Sequence, residues 1–537
     1  MTLLALCLSF AQPAQAQTAI QVQSDNFTLS GEINAADAID MVSELERFRS
    51  ALFEIHNIPT SATDQRVDMY IVSDPEIFKV LGLDEGFVAI YQPTIAGPRA
   101  IINGNTVSES PTDLRHSLRH EYVHHFNAHH RRQVTPRWLE EGLAEYFAAY
   151  EELPDGQYRI GAPLDTQQLI LTYPIEGWYP LKAQFSSFSK IENAWRTGPV
   201  KLPAKGWQRR PDDTLFFYAQ NWALVHYMQN QPGGMEILNR IAERSISLNG
   251  GNADTRMKAY DKKISDYLTE QKAKMDDIER IAVEEFGRTT EDFLTILQSY
   301  ATSSDMSVAT YSPKAGRISA SITTKNLSDN EAAAAQYRLL SLTSSNASIN
   351  ETMKTLKAQL EADPTLKDSL LVSDAAQQFM LGWAVKSREQ IDKALALDPN
   401  APNGKLLQAH IHYQEFANGN YANGSSIRQI LRPLLVRYPD DADLLVKMAL
   451  TSLEDMDNPA PEVSNAIKRI ETTQVVQRSP ITALPLANLY AAQEDYAQAL
   501  YIVRRGLPFV ARSYELNSFV NTLEDIIAED AKTLDTP

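Results

Sequence analysis

The sequence contains a single cysteine, Cys7, among its 537 residues. Residues 1–16 combine an apolar run with a small-x-small ending, which predicts a signal peptide cleaved before Gln17. The mature chain then carries no thiol, which excludes disulfides, cysteine-ligated zinc and thiol nucleophiles. Any metal ion must therefore be held by histidine and carboxylate side chains, in a protein that we expect to be periplasmic or secreted.

The sequence also lacks an excess of positive charge and a long apolar run. Its net charge is −18, whereas nucleic acids and anionic membranes bind cationic surfaces. No segment approaches the roughly 20 consecutive apolar residues that a transmembrane helix needs. We therefore expect neither a nucleic-acid partner nor an integral membrane span.

Hydrophobic periodicity divides the chain into an α+β lobe, a mainly α-helical domain and an all-α repeat region. Strand-like and helix-like patterns alternate over residues 17–109 and predict an α+β N-terminal lobe. Residues 110–302 are mostly helical, although 198–213 are rich in Pro, Gly and basic residues and predict a long loop. Residues 303–330 are rich in Ser, Thr, Ala and Asn, which predicts a linker.

Helical hairpins follow one another over residues 331–530. Pro399, Pro439 and Pro480 fall near predicted helix ends at almost equal intervals, which suggests a repeat. Residues 486–508 resemble a tetratricopeptide unit, with small and aromatic residues at packing positions and a turn between two helices. The resemblance predicts an irregular tetratricopeptide-like solenoid that binds proteins, and the alternative is an ordinary α-helical domain.

One predicted helix carries the residues that point to metal chemistry. Pro111 suits its first position, and His120-Glu121-Tyr122-Val123-His124 lies near its middle. Residues four apart lie one above the other on a helix, so both imidazoles can bind one ion. Glu121 then projects beside the ion and can take a proton from a metal-bound water, whose pKa zinc lowers toward neutrality. This spacing predicts a Zn²⁺ site with His120 and His124 as ligands.

A tetrahedral site without cysteine needs a third protein ligand, and the next helix offers candidates. Pro136 opens this helix, RWLEEGLAEYFAAYEE, in which Glu140, Glu141 and Glu145 are the candidate ligands. Glu141 and Glu145 share a face, and Glu140 points about 100° away. Gly142 would let the two helices approach closely. The alternative is that these glutamates form a solvated acidic face.

The first helix is rich in further histidines. Six of the ten histidines in the sequence fall between residues 116 and 130. Only His120 and His124 belong to the H-E-x-x-H motif of the predicted metal site. We expect the other four to lie on a solvated basic face: His116, His125, His129 and His130.

HEYVHH followed by WLEEGLAEYF resembles the gluzincin metallopeptidases, in which H-E-x-x-H precedes a helix bearing a W-L-x-E-G-x-A signature. The resemblance covers about residues 26–300. It implies a zincin catalytic domain, with Glu141 as the third zinc ligand and Glu121 as the general base. It also implies that Glu145 is an acid that orients a zinc-binding imidazole.

The same resemblance assigns two further features. Tyr218, at the start of a later helix, matches a tyrosine that donates a hydrogen bond to the oxyanion in aminopeptidase-type members. The alternative is that Tyr218 is an ordinary half-buried aromatic residue. In this family an edge strand binds extended peptide by strand addition, and residues 100–103 form the predicted strand nearest in sequence to the zinc helix.

These features predict an exported zinc metallopeptidase whose helical repeats bind a protein partner or position a protein substrate. No G-x-M-x-N-like exopeptidase signature precedes the zinc helix, which favours an endopeptidase over an aminopeptidase. Two alternatives stay open: a catalytically inactive metallopeptidase-like adaptor, and a zinc hydrolase that acts on a non-peptide bond. The complete set of His120, Glu121, His124 and Glu141 argues against the adaptor, because a decayed enzyme would have lost at least one member.

Overall fold

A computed structural model describes residues 19–59, 64–83, 88–107, 111–130, 135–164, 177–186, 200–202, 206–208, 213–249, 264–303, 306–313, 321–343, 347–401, 403–417, 423–455, 459–473, 480–506, 522–523 and 526. The predicted signal peptide, residues 1–16, lies outside the described residues. The described chain is mostly helical, with an N-terminal α/β sheet region followed by helices. Within these ranges, no helix combines the length and the apolar character needed to cross a bilayer.

The secondary structure comprises eleven strands and twenty α-helices among the described residues. The strands are β1 (Ala19–Gln23), β2 (Phe27–Glu32), β3 (Val67–Val72), β4 (Ala89–Thr94), β5 (Gly97–Asn103), β6 (Tyr150–Glu152), β7 (Tyr158–Ile160), β8 (Val200–Leu202), β9 (Gly206–Gln208), β10 (Ala309–Tyr311) and β11 (Thr323–Asn326). The helices up to residue 301 are α1 (Ala35–Ile55), α2 (Pro75–Val80), α3 (Gly104–Val107), α4 (Pro111–His130), α5 (Arg137–Ala148), α6 (Leu181–Ser186), α7 (Asp213–Gln229), α8 (Gly234–Asn249), α9 (Ile264–Phe286) and α10 (Thr290–Ala301). The later helices are α11 (Asp329–Ser341), α12 (Ala347–Glu361), α13 (Lys367–Met380), α14 (Ala384–Leu397), α15 (Gly404–Ala417), α16 (Gly424–Arg437), α17 (Ala442–Leu450), α18 (Pro461–Thr473), α19 (Pro480–Ala492) and α20 (Tyr496–Gly506).

A six-stranded mixed sheet forms the N-terminal region, in the order β11-β1-β2-β3-β5-β4. Strands β2, β3 and β5 run parallel, and the other pairs are antiparallel. β4 is therefore an edge strand of the described sheet, whereas β5 is paired on both sides. The expectation that residues 100–103 bind substrate as an edge strand is wrong, because these residues belong to β5 and have no free backbone edge.

Helices cover both faces of this sheet. All six residues of β3 are buried, because Met69 and Ile71 join the core that contains α1, while Tyr70 and Val72 join the core that contains α11. A strand covered on both faces is largely apolar, and β3 has only one charged residue, Asp68. Helix α11, at the start of the predicted repeat region, thus completes the core of the N-terminal lobe.

Two segments with loop-like composition contain strands. In the predicted linker 303–330, β11 pairs with β1, and β10 pairs with β7 in a second sheet of order β10-β7-β6. In the predicted loop 198–213, β8 and β9 form an antiparallel pair. The linker segment is therefore tied to both the N-terminal sheet and the helical domain.

Sequence-adjacent helices pack on each other in the C-terminal region. α13 packs on α14, and α19 packs on α20, where residues 486–508 predicted a helical hairpin. Pro399 and Pro439 follow α14 and α16, whereas Pro480 begins α19 instead of ending a helix. The proline spacing is thus not a repeated helix end, and the tetratricopeptide-like solenoid stays a prediction.

The C-terminal helices contact the N-terminal lobe through polar and apolar groups. Gln65 Nε2 donates to Asp441 Oδ2 at 2.6 Å, and Asn403 Nδ2 donates to Asp68 Oδ2 at 2.6 Å. The turn between β4 and β5 places Ala96 in an apolar core built by α13, α14 and α15. One end of the edge strand β4 is thereby fixed by the C-terminal helices.

Candidate metal site

Helices α4 and α5 bring the predicted metal ligands together. α4 buries a row of apolar side chains in the lobe core, at Leu114, Leu118, Tyr122 and Phe126. α5 begins after Pro136, whose fixed φ favours a helix start, and it buries Trp138, Leu139, Leu143 and Phe147. The two apolar stripes fix the helices against each other and leave the histidine and glutamate side chains between them.

Three donor atoms meet between these helices. His120 Nε2 lies 3.1 Å from His124 Nε2 and 3.2 Å from Glu141 Oε2. His124 Nε2 lies 3.4 Å from the same Glu141 oxygen. The three side chains are only 8%, 18% and 12% exposed, respectively, so the donor atoms face one another in a shielded site.

This triangle of donor atoms has the size that a tetrahedral zinc ion requires. Zinc binds imidazole nitrogen and carboxylate oxygen at about 2.0–2.1 Å, which separates adjacent tetrahedral ligands by about 3.3 Å. The separations of 3.1, 3.2 and 3.4 Å bracket that value. Two imidazoles and one carboxylate are also a ligand set that leaves the fourth position of zinc open. The residues present therefore fit a zinc ion.

A carboxylate also contacts the second nitrogen of each imidazole. His120 Nδ1 lies 3.0 Å from Glu145 Oε1, and His124 Nδ1 lies 3.3 Å from Glu140 Oε1. With a proton on each Nδ1, assigned from these contacts, a metal ion that displaces the proton from each Nε2 would find both of these atoms as lone-pair donors at the centre of the triangle. Glu145 thus has the contact that its predicted orienting role requires, and Glu140 has the equivalent contact on the other imidazole.

Sequence reasoning missed the role of Glu140 and the position of His116. Glu140 accepts hydrogen bonds from Asn127 Nδ2 at 3.0 Å and from the Thr135 hydroxyl. His116 Nε2 lies 3.1 Å from Glu145 Oε2. Helical geometry alone places Glu140 away from Glu141, and no sequence pattern gives the rotation of α5 that turns Glu140 toward α4.

A second trio of side chains, His116, His120 and Glu145, is also close enough to hold an ion. In this trio Glu145 gives one oxygen to His116 and the other to His120, which is the arrangement of a hydrogen-bonded bridge. The trio of His120, His124 and Glu141 instead directs three atoms at one point. We therefore take the latter trio as the candidate metal site.

Contacts between opposite charges outweigh the effect of burial on the pKa values of the site. Burial lowers the pKa of His120, but hydrogen bonds to Glu141 and Glu145 raise it to about 9. Burial raises the pKa of Glu141, yet hydrogen bonds to His120 and His124 hold it well below its usual value. The pKa of Glu145 is also lowered, against the effect of burial, by His116 and His120. Both carboxylates are anionic at neutral pH and favour a bound cation.

Glu121 lies where α4 meets the edge strand β4. Its Oε2 accepts a hydrogen bond from the backbone N–H of Tyr91, and the residue is 9% exposed. The Tyr91 hydroxyl lies 3.1 Å from Nδ1 of His125, which follows Glu121 by one helical turn. Tyr91 therefore attaches β4 to α4 at two points, one of which is the predicted general base.

Tyr218 and Arg137 border the metal trio on the side of α7. The rings of Tyr218 and His120 are 5.7 Å apart between centroids. Arg137 Nε donates to Glu141 Oε1 at 3.2 Å, and the same guanidinium lies close enough to Tyr218 to lower the pKa of its phenol, against the larger effect of burial. Burial and the neighbouring Glu141 raise the pKa of Tyr218, so its phenol is protonated and can donate a hydrogen bond.

A glycine allows α7 to approach α5. A Cβ atom on Gly142 would lie 2.7 Å from the backbone oxygen of Asn221, closer than any side chain tolerates. Gly142 therefore permits close helix packing, as the sequence suggested. The helix that it admits is α7, which carries Tyr218, rather than α4.

The other histidines of α4 do not form a solvated face. His116 and His125 are 7% and 1% exposed, and His130 Nε2 lies 2.9 Å from Asp64 Oδ1. Burial, assisted by the neighbouring His129, lowers the pKa of His125 well below its usual value, so this imidazole is neutral. The expectation of a solvated basic face is wrong, because His116, His125 and His130 contact Glu145, Tyr91 and Asp64, respectively.

The chain matches no protein-family model, and a search of curated proteins finds no match either. The resemblance to gluzincins therefore depends on two motifs and on the arrangement of the residues in them. Membership of that family stays a prediction.

Proposed function

We propose that the protein is an exported zinc-dependent metallopeptidase of the gluzincin type, an endopeptidase that hydrolyses peptide bonds in protein substrates. One observation carries the proposal: His120 Nε2, His124 Nε2 and Glu141 Oε2 form a triangle with edges of 3.1, 3.2 and 3.4 Å. The carboxylates on both Nδ1 atoms support it, because metal-binding histidines usually donate their second N–H to such a group.

The residues around the trio supply the rest of the chemistry. When bound, zinc lowers the pKa of water and so provides a nucleophile near neutral pH. Glu121 takes a proton from the attacking water through the oxygen that Tyr91 leaves free, and it passes this proton to the leaving amine. Tyr218 donates a hydrogen bond to the carbonyl oxygen under attack, an interaction worth a few kcal/mol in the transition state.

The outer edge of β4 gives an extended substrate a place to pair. Tyr91 directs its N–H away from β5 toward Glu121, so Ala89, Tyr91 and Pro93 turn their backbone groups outward. Pro93 has no N–H, and that of Tyr91 is already used. Substrate pairing would therefore be short and would use mainly the backbone oxygens of β4.

Two segments of the chain support a location and a partner. The composition of residues 1–16 supports export, and with it an activity in the periplasm or outside the cell. We propose that the C-terminal helices bind a protein partner. Their contact with the β4–β5 turn at Ala96 supports a role in presenting a protein substrate to the edge of β4.

The competing function is a catalytically inactive adaptor that uses the same fold to bind proteins. The observation that favours it is the hydrogen bond from the Tyr91 N–H, which occupies one oxygen of Glu121. The second oxygen of Glu121 and the complete ligand set favour the peptidase, since an adaptor has no need to keep four functional residues.

Metal analysis of the mature protein and of Glu121→Gln tests this proposal. We expect about one zinc ion per chain in both proteins. Proteolysis of an unfolded protein substrate should occur in the wild type and fall at least about a hundredfold in the variant. Glu151→Gln, which changes a carboxylate that is 51% exposed, is the matched control and should keep both properties. Equal proteolysis in Glu121→Gln and wild type would overturn the proposal, and zinc without any wild-type proteolysis would favour the adaptor.

A further inference from the structure

Arg137 lies one helical turn before Glu141 on α5, so the two side chains share a face. The two oxygens of Glu141 have different neighbours. Oε2 faces His120 Nε2 at 3.2 Å and His124 Nε2 at 3.4 Å, whereas Oε1 accepts a hydrogen bond from Arg137 Nε at 3.2 Å. One oxygen thus belongs to the candidate metal site and the other to the guanidinium.

The same guanidinium connects α5 with α7. Its central carbon lies 5.8 Å from the centre of the Phe217 ring, and it lies close enough to the adjacent Tyr218 to influence the pKa of that phenol. A planar guanidinium presents several N–H groups at fixed angles, so it can hold a carboxylate and a phenol together. A lysine has one compact charged group and cannot reproduce both contacts in this orientation.

The different neighbours of the two Glu141 oxygens matter because a carboxylate can bind a cation through one oxygen or through both. Two-oxygen binding by Glu141 would use the coordination position that a catalytic zinc site keeps open for water or substrate. A hydrogen bond from Arg137 to Oε1 opposes that change, because it holds this oxygen away from the two imidazoles.

We propose that Arg137 is a positioning residue that restricts Glu141 to one-oxygen metal binding and aligns Tyr218 beside the open coordination position. The inference rests on the proposed zinc site. The simpler interpretation is an ordinary helix-surface ion pair, which contributes about 0–1 kcal/mol to stability and nothing to the site. Only 12% of the Glu141 side chain is exposed, and Arg137 contacts two functional side chains at once, so the positioning role explains more of the geometry.

Cobalt-substituted protein gives a readout that does not depend on turnover, because the visible absorption of Co²⁺ is intense in four-coordinate sites and weak in five- or six-coordinate sites. We expect Arg137→Gln to weaken this absorption relative to wild type. Arg137→Lys keeps the charge and the helix propensity, and it should weaken the absorption to an intermediate extent. Arg159→Gln breaks an exposed ion pair with Glu151 and is the control that should leave the spectrum unchanged.

Kinetics of the zinc-loaded proteins give a second readout. We expect kcat of Arg137→Gln to fall about 10- to 100-fold, with KM changed less than kcat, because substrate contacts outside the site are retained. An Arg137→Gln spectrum identical to that of Arg159→Gln would overturn the inference while leaving the zinc site intact. A wild-type protein that binds neither Co²⁺ nor Zn²⁺ would instead overturn the proposed function itself.

Discussion

Two helix pairs of this protein bury side chains of opposite chemical character. α4 and α5 bury charged and polar side chains, at His116, Arg119, His120, Glu121, His125, Glu141 and Glu145. α13 and α14 bury mainly small apolar side chains, at Val372, Ala375, Ala376, Ile391 and Ala394. Burying charge costs free energy unless each group is paired. The contrast fits the metal site that we propose between the first pair, and a packing role for the second.

The largest expected effect comes from removing a buried carboxylate from each pair. Glu141→Ala should lower zinc content and reduce proteolysis by about a thousandfold or more, because one of three metal donors is lost. Asp374 on α13 is 5% exposed and accepts hydrogen bonds from Tyr337 and Lys357. Asp374→Ala should keep zinc and proteolysis and lower the free energy of unfolding by about 2 kcal/mol.

Zinc analysis, substrate turnover and urea unfolding of the two variants check this prediction. Loss of zinc from Asp374→Ala would contradict the prediction that only the first helix pair binds metal. Zinc at the wild-type level in Glu141→Ala would contradict it too.

A smaller effect is expected when the same apolar deletion is made in each pair. Leu118 on α4 and Ile391 on α14 are 2% and 0% exposed. Each change to alanine should lower the free energy of unfolding by about 3 kcal/mol, since both leave a cavity. Only Leu118→Ala should also weaken zinc binding, because Leu118 packs the turn that carries His120. Unfolding curves and chelator competition measure both, and equal zinc affinity in the two variants would contradict the prediction.

The carboxylate on His124 should have a more moderate influence. Glu140→Gln removes the charge that faces Nδ1 of His124 but keeps the size of the side chain. We expect zinc affinity to fall about 10- to 100-fold, the usual effect of losing a group that orients a metal-binding imidazole. Glu151→Gln is the control, and competition with a chromogenic chelator is the measurement. An affinity equal to that of the control would show that Glu140 does not orient His124.

The smallest effect concerns acid stability, and it involves one helix that packs on each pair, α7 on α5 and α15 on α14. Burial lowers the pKa of His226 on α7 and of His410 on α15 to about 4, from 6.5. The unfolded chain binds these protons below pH 6.5 and the native chain does not until about pH 4. The free energy of unfolding should therefore be unaffected above pH 6.5 and should fall as the pH drops toward 4.

Each imidazole should account for about 1–2 kcal/mol of this loss at pH 5. Unfolding of His226→Gln and His410→Gln at pH 7.5 and pH 5 measures the difference. If both variants kept the pH dependence of the wild type, these two histidines would not be the cause of the acid sensitivity.

Much of the metal site could be predicted from the sequence because it depends on local periodicity. The i, i+4 spacing of His120 and His124 places them on one helix face, whatever the rest of the fold does. The contacts of Glu140, Arg137 and Tyr91 could not be predicted in this way. They depend on how α5, α7 and β4 are rotated and placed against α4, which no single-element pattern specifies.

In the fold, too, some elements could be predicted from their own sequence, whereas others depend on a partner far along the chain. β3 was predictable, since five of the six residues in its sequence VDMYIV are apolar, which suits a strand buried on both faces. β11 has the sequence TTKN with all four residues exposed, so its composition is that of a linker. It is a strand because its backbone pairs with β1, and a partner so distant in sequence leaves no local pattern.

The pairing of β1 with β11 has a consequence for how the chain is made. Gln23 and Thr323 are partners 300 positions apart. At usual translation speeds of about 5–20 residues per second, roughly 15–60 s separate the emergence of the two strands. During that interval β1 is an open sheet edge that can pair with the wrong chain. A nascent-chain binding factor that covers β1 until residue 326 has emerged should therefore raise the yield of correctly folded protein.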